Sequence, residues 1–386
     1  MAVNITNLAE ILQRKIYSVS SSTSVTELND LLKAAKLADD SVIREYDSDG
    51  SLPAAASSNE RLAYITSNGV IRFNTGSAWQ SLLSGGNANS NGGGGASYSF
   101  QGSAYGYAAG GQTSSAVITD IDRFSLTSDG NSTDIGDANV AKGGAAGFSS
   151  VSHGYSSSGY TNTAANANTN AMGKYPFAST TTGTDVGDNT QSRRYVTGHS
   201  DETHGYTSGG YTSSQTNVID RVTYSADGNA SDVGDLTQAR YGPAGASSST
   251  HGYAAGGSPY NVIDRFPFAA SANASDVGDT ISDKRGESGA SSTTHGYHVG
   301  GVPGPVNNIS KYSFAASANS TDVGDLTGAK SSGAGVSSTT HGYTVGAYHS
   351  PWQNVIEKFS FSYDENGTDV GDLTVSKWSS AGHQSS

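Results

Sequence analysis

One spacing pattern fills the last three quarters of the chain and constrains its fold more than any other feature. Each of six units starts with Tyr or His followed by Gly-Tyr. The glycines of these steps are Gly106, Gly154, Gly205, Gly252, Gly296 and Gly342. After each step comes a basic residue. Counting from it, the first aspartate of an Asp-Val-Gly-Asp or Asp-Ile-Gly-Asp signature lies 11 residues on, the second 3 further, another basic residue 5 further, and the next Gly-Tyr 12 further. Length varies only between the Gly-Tyr step and the first basic residue, from 13 to 20 residues, so each unit has one variable loop.

Units of 44 to 51 residues with four short apolar stretches are typical of β-propeller blades of four antiparallel strands. In the fourth unit the stretches are 244–247, Gly252–Gly257, Val262–Phe268 and the neighbourhood of Val277. Alternation places Phe266 and Phe268 on one face of the third strand and Ile263 on the other, as a sheet between two neighbours requires. The sequence therefore predicts a mainly β protein with a six-bladed propeller at residues 96–386.

The end of the chain predicts how the ring closes. Ala381-Gly382 match Ala146-Gly147 in register, so the C-terminus has the pattern of a first strand without the rest of its blade. We expect it to complete the blade whose second strand begins near Gly106 and to cover an otherwise exposed edge. Both ends of the propeller then lie at the first-to-second-strand turns, and the variable loops lie on the opposite face.

The units resemble the kelch-type β-propeller family. A Gly-Gly pair ends the second strand in four of them, at Gly110-Gly111, Gly209-Gly210, Gly256-Gly257 and Gly300-Gly301. A basic residue also precedes the first strand of the next blade. The units depart from kelch repeats in two ways: Val or Ile stands where the fourth strand of kelch blades usually has Trp, and two units change the doublet to Ser158-Gly159 and Gly346-Ala347. The resemblance implies the kelch-like architecture rather than a kelch function.

The first 95 residues differ from the repeats and divide into three parts. Residues 1–46 predict a short helical anchor, with Leu8, Ile11, Leu12 and Ile16 at helical spacing, then Ser24 and Glu27 in a capping box before Leu28, Leu31, Leu32 and Ala35. Such narrow stripes pack either on a partner or within a small helical hairpin. Residues 47–83 predict a small β-hairpin or meander, because Asn68-Gly69 favours a two-residue turn and a strand follows at Trp79. Residues 84–95, rich in Gly and Asn, predict a flexible linker.

Composition excludes several functions. A formal charge of −13, with 21 basic residues scattered singly, offers no footprint for nucleic acid and no polybasic patch for a membrane. The absence of cysteine excludes disulfides, thiolate metal sites and a cysteine nucleophile. No apolar run has the length of a membrane span, and the start lacks the pattern of a signal peptide. We therefore expect synthesis in the cytoplasm, no membrane insertion, no nucleic acid partner and no cofactor.

The aspartate signature allows two interpretations. Asp227, Asn229, Asp232 and Asp235 provide hard oxygens for Ca²⁺ within a short stretch, but the fourth unit has Ser271 in place of Asp227. The preferred interpretation is structural, with the aspartates as turn caps and inter-blade ion pairs. The second aspartates of the six signatures are Asp137, Asp188, Asp235, Asp279, Asp325 and Asp372. Whether these turns bind a cation is left open by the sequence, and no metal site is predicted.

The repeat argues against an enzyme, because one active site needs one acid and one base. The repeated histidines are predicted to be turn and packing residues: His153, His204, His251, His295 and His341. Among the residues that break the repeat are His298 and the cluster His199, Asp201 and Glu202, for which a solvated turn is the favoured interpretation. No nucleophile and base can be paired among such residues, so no catalytic residue is predicted.

The variable loops give the better functional prediction. Aromatic and histidine side chains stand there among Ser, Thr, Asn and Gly, a mixture that resembles binding paratopes. The candidates are Tyr160, Tyr211, Tyr260, Tyr348, His349 and Trp352. For any single ring the alternative is that it covers its own blade, but for the loop face as a whole we expect binding.

Repeats of the form Gly-Asp-Leu-Thr, then Lys or Arg, then Ser-Ser-x-x-His-Gly-Tyr, fused to a helical and hairpin start, are similar to virion proteins of marine and cyanobacterial tailed phages. The Leu-Pro step at Pro53 and the Gly-Ser-x-Trp strand also resemble small modules near the attachment ends of phage virion proteins. The resemblance implies a fibre, whisker or tail appendage located in the virion. Residues 1–95 would attach it to other virion proteins, and the propeller would meet a host surface glycan or a virion partner.

Two other functions stay open, a glycan-active enzyme on a propeller and a purely architectural decoration or plug protein. A homo-oligomer, trimer or hexamer, is expected from the symmetry habits of such assemblies.

Overall fold

The computed structural model describes residues 44–46, 52, 62–65, 70–74, 79–81, 100–161, 167–349 and 351–385. The chain separates into two compact units, residues 1–95 and 96–386. Within the described residues all regular structure is β-strand. No helix there is long and apolar enough to cross a membrane.

The described part of the first unit is one four-stranded sheet in sequential order. Its strands are β1 (Arg44–Tyr46), β2 (Leu62–Ile65), β3 (Val70–Asn74) and β4 (Trp79–Ser81). Strands β2 to β4 are antiparallel, as a meander around Asn68-Gly69 requires, and β1 runs parallel to β2. Residues 44–46 are thus a strand, where the sequence predicted the end of the helical anchor. Backbone pairing with β2 decides their structure, and pairing between distant segments leaves no local sequence signal. The helices predicted between Leu8 and Ala35 lie outside the described residues.

The second unit is a propeller of six four-stranded antiparallel sheets, which confirms the predicted fold class. Blade 1 contains β5 (Tyr105–Ala109), β6 (Asp120–Ser125), β7 (Thr133–Asp137) and β28 (Ala381–Ser385). Blade 2 contains β8 (Ala146–Ser149), β9 (His153–Ser157), β10 (Ala171–Pro176) and β11 (Thr184–Asp188). Blade 3 contains β12 (Thr197–Ser200), β13 (His204–Ser208), β14 (Val218–Thr223) and β15 (Ser231–Asp235).

The other three blades repeat this plan. Blade 4 contains β16 (Ala244–Ser247), β17 (His251–Ala255), β18 (Val262–Pro267) and β19 (Ser275–Asp279). Blade 5 contains β20 (Ser288–Ser291), β21 (His295–Val299), β22 (Val306–Ser313) and β23 (Thr321–Lys330). Blade 6 contains β24 (Ala334–Ser337), β25 (His341–Ala347), β26 (Gln353–Ser360) and β27 (Thr368–Asp372).

The C-terminal strand closes the ring in the register that the sequence predicts. Ala381 lies opposite Ala109, and Gly382 opposite Ala108. The start of the propeller unit lies at the same end of the inner strands, because the Gly102 N–H donates to the Ser337 carbonyl and the Ser103 N–H to the Ser385 carbonyl. We call this side, which carries the first-to-second-strand turns, the turn face. The opposite side, which carries the variable loops, is the loop face.

The first strand of every blade lies at the propeller axis, and glycine lets these strands approach closely. The six glycines are Gly147, Gly198, Gly245, Gly289, Gly335 and Gly382. A Cβ on Gly335 would lie 1.9 Å from the carbonyl oxygen of Gly289, and one on Gly382 would lie 2.1 Å from that of Gly335. The remaining cavity on the axis is about 60 Å³, well below the roughly 300 Å³ at which small-molecule pockets begin. Backbone therefore fills the axis and leaves no room there for a ligand.

Apolar side chains fill the gaps between blades, as the alternation in the third strand predicts. In blade 4, Phe266 packs with Tyr206 of blade 3, while Ile263 packs with Tyr312 of blade 5. Burial of such a ring contributes about 2–3 kcal/mol. Both faces of the sheet are therefore buried against neighbours.

Four of the six interfaces also carry a buried ion pair between the second basic residue of one repeat, which lies at or after the end of the fourth strand, and an acid on the next blade's third strand. The pairs are Lys377–Asp122, Arg193–Asp220, Arg240–Asp264 and Lys330–Glu357. At the interface of blades 1 and 2 the acid is replaced by Gly173, and buried Lys142 donates to the carbonyls of Ser156 and Ala171 instead. At the interface of blades 4 and 5 it is replaced by Ser310, and Lys284 donates to the Pro303 carbonyl.

Candidate functional site: the loop face

A ring of short bridges builds the loop face. In each blade, two residues pair through their backbones. One follows the doublet that ends the second strand, and the other follows the second basic residue of the repeat, just before the first strand. The six bridges are Gln112–Trp378, Gly143–Tyr160, Arg194–Tyr211, Tyr241–Ser258, Arg285–Val302 and Ser331–Tyr348. The six bridges occupy equivalent positions in the six blades. They therefore place six pairs of side chains around the axis on the loop face.

The next residue of each blade closes the axis with a cyclic set of backbone hydrogen bonds. Each N–H donates to the carbonyl of the equivalent residue in the preceding blade, at 2.5 to 2.9 Å. The six members, all with positive φ, are Gly144, Tyr195, Gly242, Gly286, Ser332 and Ser379. Tyr195, at φ 54°, is the bulkiest of them, and such a conformation costs a non-glycine residue on the order of 1 kcal/mol. The backbone hydrogen bonds of Tyr195 to Gly144 and Gly242 maintain this conformation and so keep its ring next to the axis.

Tyrosine and arginine side chains cover one half of this face. The ring of Tyr241 lies 6.0 Å from that of Tyr195 and 5.6 Å from that of Tyr211, centroid to centroid. Arg194 lies over the rings of Tyr195 and Tyr211, at 5.6 and 5.3 Å, and Arg285 lies 5.4 Å from the centroid of Tyr241. Cation–π contacts of this kind fix both the rings and the guanidinium groups.

A second aromatic group covers the other half. Tyr348, Trp352 and Trp378 form a triangle with centroid separations of 5.5 to 6.4 Å, and Tyr348 is 41% exposed. Gln112, which bridges to Trp378, accepts a hydrogen bond from the Tyr160 hydroxyl and so connects this triangle to the tyrosine half. We call the combined surface the aromatic arc. Its members are Arg194, Tyr195, Tyr211, Tyr241, Arg285, Tyr348, Trp352 and Trp378.

The sequence candidates divide between surface and support. Tyr211, Tyr348 and Trp352 lie in the arc. Tyr160 is only 2% exposed and packs over Gly143 and against Tyr195, so its ring supports the arc rather than facing solvent. Tyr260 is exposed but belongs to none of the ring contacts among the described residues, and His349 is half-buried beside Tyr348.

Five members of the arc were not predicted: Arg194, Tyr195, Tyr241, Arg285 and Trp378. They lie in the connection between blades, whose length never varies, whereas the binding prediction was confined to the loops of variable length. A signal was present, because the position of Tyr195 holds Gly or Ser in the other five units, and the position shared by the other four members varies between large residues and Gly143 or Ser331. The aromatic arc is therefore marked by residues that differ between units, as well as by loops that differ in length.

Of the two structural roles preferred for the aspartate signature, the structure shows the capping of turns. The first aspartate of each signature caps its own turn: Asp134 Oδ1 accepts the Gly136 N–H at 2.9 Å, and the other five repeat this bond. Ion pairs through these aspartates were expected, and that expectation is wrong for the described residues. The third-strand lysines instead pair with acids of the neighbouring turn, as in Lys174–Asp227 at 2.6 Å.

The second aspartates act mainly through their backbone. The Asp188 N–H donates to the Asn229 side chain of the next blade at 3.0 Å, and the same bond forms at Asp235, Asp279, Asp325 and Asp372. Asp137 accepts a hydrogen bond from Thr119. No group of three His, Asp or Glu side chains placed to hold a metal occurs in the described ranges.

The repeated histidines are turn residues, as predicted. The Nδ1 atom of each bonds to the hydroxyl of the preceding Ser or Thr, for example His251 to Thr250 at 2.8 Å. The solvated turn expected around His199 is wrong for the histidine itself, which is buried and bonds to the Ala246 carbonyl and to Ser208. Burial lowers the pKa of His199 to about 4. Asp201 does lie in the turn, where it caps the backbone of Thr203 and His204.

One hydrogen-bonded series has the order of a hydrolytic triad. His298 bonds through Nδ1 to Glu287 at 2.8 Å and through Nε2 to the Ser320 hydroxyl at 2.9 Å. All three side chains are buried, and Ser320 is 7% exposed, so the hydroxyl has no access to a substrate. The series occupies the interface of blades 4 and 5, one of the two without the repeated ion pair, and there it supplies the polar contact that Lys284 and Ser310 do not make.

Comparison with known protein families finds no match to this chain, and comparison with curated proteins finds no similar sequence. The kelch-type classification and the relation to phage virion proteins therefore stay predictions from the sequence, while the six-bladed propeller is established by the fold.

Proposed function

We propose that this propeller is a binding head, and that the aromatic arc of the loop face binds a glycan. The single observation that carries the proposal is the collection of six aromatic rings, among them the strained Tyr195, and two arginines on one face of an otherwise regular propeller. Tyr348 is 41% exposed, and the other rings of the arc are half-buried. Clustered apolar surface of this kind marks interaction sites, and a strained residue within it also points to function.

Glycans suit this surface chemically. A sugar ring has one face of C–H groups that can lie on an aromatic ring, and hydroxyls at its edge that accept hydrogen bonds from guanidinium groups. Rigid amphipathic rings supply contact area at little entropic cost, and the Ser, Thr and Asn residues of the loops adapt to hydroxyls. The separation of the arc into two halves fits an extended chain of sugars better than a single small molecule.

The larger setting of this head rests on the sequence resemblance alone. We propose a phage virion protein, a fibre or appendage, in which residues 1–95 attach to other virion proteins and the loop face meets the host surface. Attachment through residues 1–95 is consistent with a propeller whose first residues lie on the turn face, opposite the arc. A homo-oligomer would multiply weak contacts with a repetitive glycan.

The experiment incubates the intact protein with host surface polysaccharide and measures both retention and new reducing ends. We expect retention without cleavage. The double variant Tyr348→Ala and Trp352→Ala should weaken retention about tenfold or more, since buried rings dominate such interfaces. The matched control is Tyr105→Ala, because Tyr105 is as exposed as Tyr348 but belongs to β5 and lies away from the arc.

Two outcomes would overturn the proposal. New reducing ends would show the glycan-active enzyme that the sequence left open. Neither retention nor cleavage, for polysaccharides from hosts that the particle infects, would favour the purely architectural role.

A further inference from the structure

A ring stack between blades is repeated at five interfaces and missing at the sixth. At these five interfaces the tyrosine of the Gly-Tyr step packs against the aromatic side chain that lies three residues after the first basic residue of the next blade. The pairs are Tyr107–Phe177, Tyr155–Tyr224, Tyr206–Phe268, Tyr253–Phe314 and Tyr297–Phe361, with centroids 4.5 to 5.0 Å apart. At the closure between blades 6 and 1, Tyr343 meets Leu126 instead.

A pocket of about 340 Å³ lies at this sixth interface. It opens on the turn face, and Leu126, Tyr343, His341, Lys358 and Asp129 are among its lining residues. The volume reaches the range of ligand pockets in proteins, roughly 300–1,000 Å³. The leucine has a local cause, because a Cβ on Gly102 would lie only 2.8 Å from Leu126 Cδ1, so the start of the propeller unit takes space beside it. The cavity follows from the replacement of an aromatic ring by the smaller Leu126 side chain.

The lining is one that accepts aromatic side chains elsewhere in the same molecule. Lys358 pairs with Asp129 at 2.5 Å, and the equivalent pairs Lys174–Asp227 and Lys311–Asp364 border interfaces that hold a stacked Tyr224 or Phe361. The same polar rim and the same tyrosine platform therefore already surround a ring at the filled interfaces. An aromatic side chain is the occupant that this environment fits.

The chain also carries one ring more than its repeat at a nearby position on the same face. The residue five after the first basic residue is small in five blades, namely Ser128, Ser179, Ala226, Ala270 and Ala316, and is Tyr363 in blade 6. Tyr363 is 72% exposed, the highest value among the large hydrophobic side chains of the described residues. It is not part of the lining of its own molecule's pocket, and no ring contact in the described part of the chain includes it.

We propose that the pocket between blades 6 and 1 binds an aromatic side chain, and that Tyr363 of a second copy of this chain supplies it. Leu126 stands where the other five units have an aromatic residue, and Tyr363 stands where they have Ser or Ala. The additional ring of one copy would then fill the place of the ring that the other copy lacks. Insertion places the ring in the pocket beside Leu126 and the 4% exposed Tyr343, and it removes the exposed ring from water. Reciprocal insertion gives a two-fold contact between turn faces. The pocket lies on the face opposite the aromatic arc, so this contact between copies does not depend on glycan binding.

The test places the photo-cross-linker p-benzoylphenylalanine at position 363 of the full chain and mixes unlabelled with ¹⁵N-labelled copies. We expect cross-linked peptides that join position 363 of one copy to 126–129 or 338–343 of the other. The matched control places the same group at position 260, where the native tyrosine is exposed but lies on the loop face. No cross-link to the pocket is expected there.

Two variants fill or cover the pocket. Leu126→Phe restores the repeated ring and should reduce the cross-link about tenfold, which corresponds to about 1.4 kcal/mol. Since Gly102 is close to Leu126, Thr127→Trp at the exposed rim is the second variant, and it leaves the buried packing unchanged. The proposal is overturned if position 363 gives no intermolecular cross-link, if its cross-links map outside the pocket, or if both variants leave the yield unchanged.

Discussion

Lys377 Nζ lies 2.8 Å from Asp122 Oδ2, and this buried contact joins the last blade of the ring to the first. Burial raises the pKa of Asp122, but Lys377 and the hydroxyls of Thr374 and Ser132 outweigh it and hold the pKa below its ordinary value of 3.8. A carboxyl whose pKa is lower in the folded state stabilises the fold at pH values above the unfolded pKa. That contribution is lost as the pH falls through the folded pKa.

Lys377→Met should therefore destabilise the propeller by about 3–5 kcal/mol at neutral pH, because it leaves Asp122 charged and buried without a cation. The double variant Lys377→Met and Asp122→Asn should recover most of that loss. Urea unfolding at pH 7 measures both free energies. Equal unfolding free energies for the single variant and the wild type would contradict the role of this pair.

A second prediction concerns the interface of blades 1 and 2, one of the two that lack the acid. Burial lowers the pKa of Lys142 to about 8, and the side chain of Asn139 occupies the place where a carboxylate would stand. Gly173→Asp alone should destabilise, because a Cβ at position 173 would lie 1.8 Å from Asn139 Oδ1. Gly173→Asp with Asn139→Thr recreates the set found at the other interfaces and should be more stable than either single variant, with a coupling of about 1–3 kcal/mol.

The pH dependence of the unfolding free energy, to which Lys142 contributes, provides a check on the Gly173→Asp and Asn139→Thr double variant. The pKa of Lys142 is about 8 in the folded protein, against an ordinary value of 10.5. Between these pH values the unfolded chain binds more protons than the folded one, so the free energy of unfolding should rise with pH. In the double variant the aspartate holds the proton on Lys142, so the rise should vanish. Unfolding free energies measured from pH 7.5 to 10.5 separate the two cases, and identical profiles would disprove the assignment.

Two buried histidines predict acid sensitivity. Burial lowers the pKa of His199 and of His383 to about 4, against an ordinary value of 6.5. The unfolded chain then binds more protons than the folded one between these limits, so stability should fall as the pH drops from about 6.5 to about 4. His383 belongs to β28 and bonds to Tyr175 and to the Tyr155 carbonyl, so acid should loosen the closure. Thermal unfolding of His383→Gln should show a shallower decrease over this range; an equally steep one would argue against it.

The glycines of the axis give a packing prediction. Gly289→Ala places a Cβ 2.1 Å from the Gly245 carbonyl oxygen and should destabilise by about 1–3 kcal/mol or more, since backbone on both sides cannot move aside cheaply. Gly228→Ala is the matched control, because a Cβ there meets nothing within 4 Å. A melting temperature for Gly289→Ala equal to that of the control would mean that the axis is less tightly packed than the structure shows.

Closure by β28 predicts the effect of truncation. Removing residues 378–386 deletes β28 and leaves β5 as an exposed edge strand, which is a template for aggregation. We expect a product that aggregates on gentle heating, measured by light scattering. A soluble product with unchanged heat stability would refute the closure.

The blade count, the positions of the loops and the closing strand could all be predicted, because regular spacing along the chain fixes them. The partners of individual side chains could not. Lys142 and Gly173 are 31 residues apart and meet only across an interface, so the missing acid has no local signature. For the same reason the ring partners of Tyr195 and Trp378 could not be predicted, because they come from other blades, although both residues depart from the composition of the repeat. Leu126 shows the opposite case, since alignment of the six units would have marked it without any structure.

The tryptophans allow the most direct test of binding at the aromatic arc. The chain has three, and two of them, Trp352 and Trp378, belong to the arc. The variant Trp79→Phe therefore reports from the arc alone. Titration of this variant with oligosaccharides from the host surface should change its tryptophan emission in a saturable way, with the same midpoint as retention on the intact polysaccharide. Retention of the polysaccharide with unchanged emission would place the binding surface elsewhere and contradict the account.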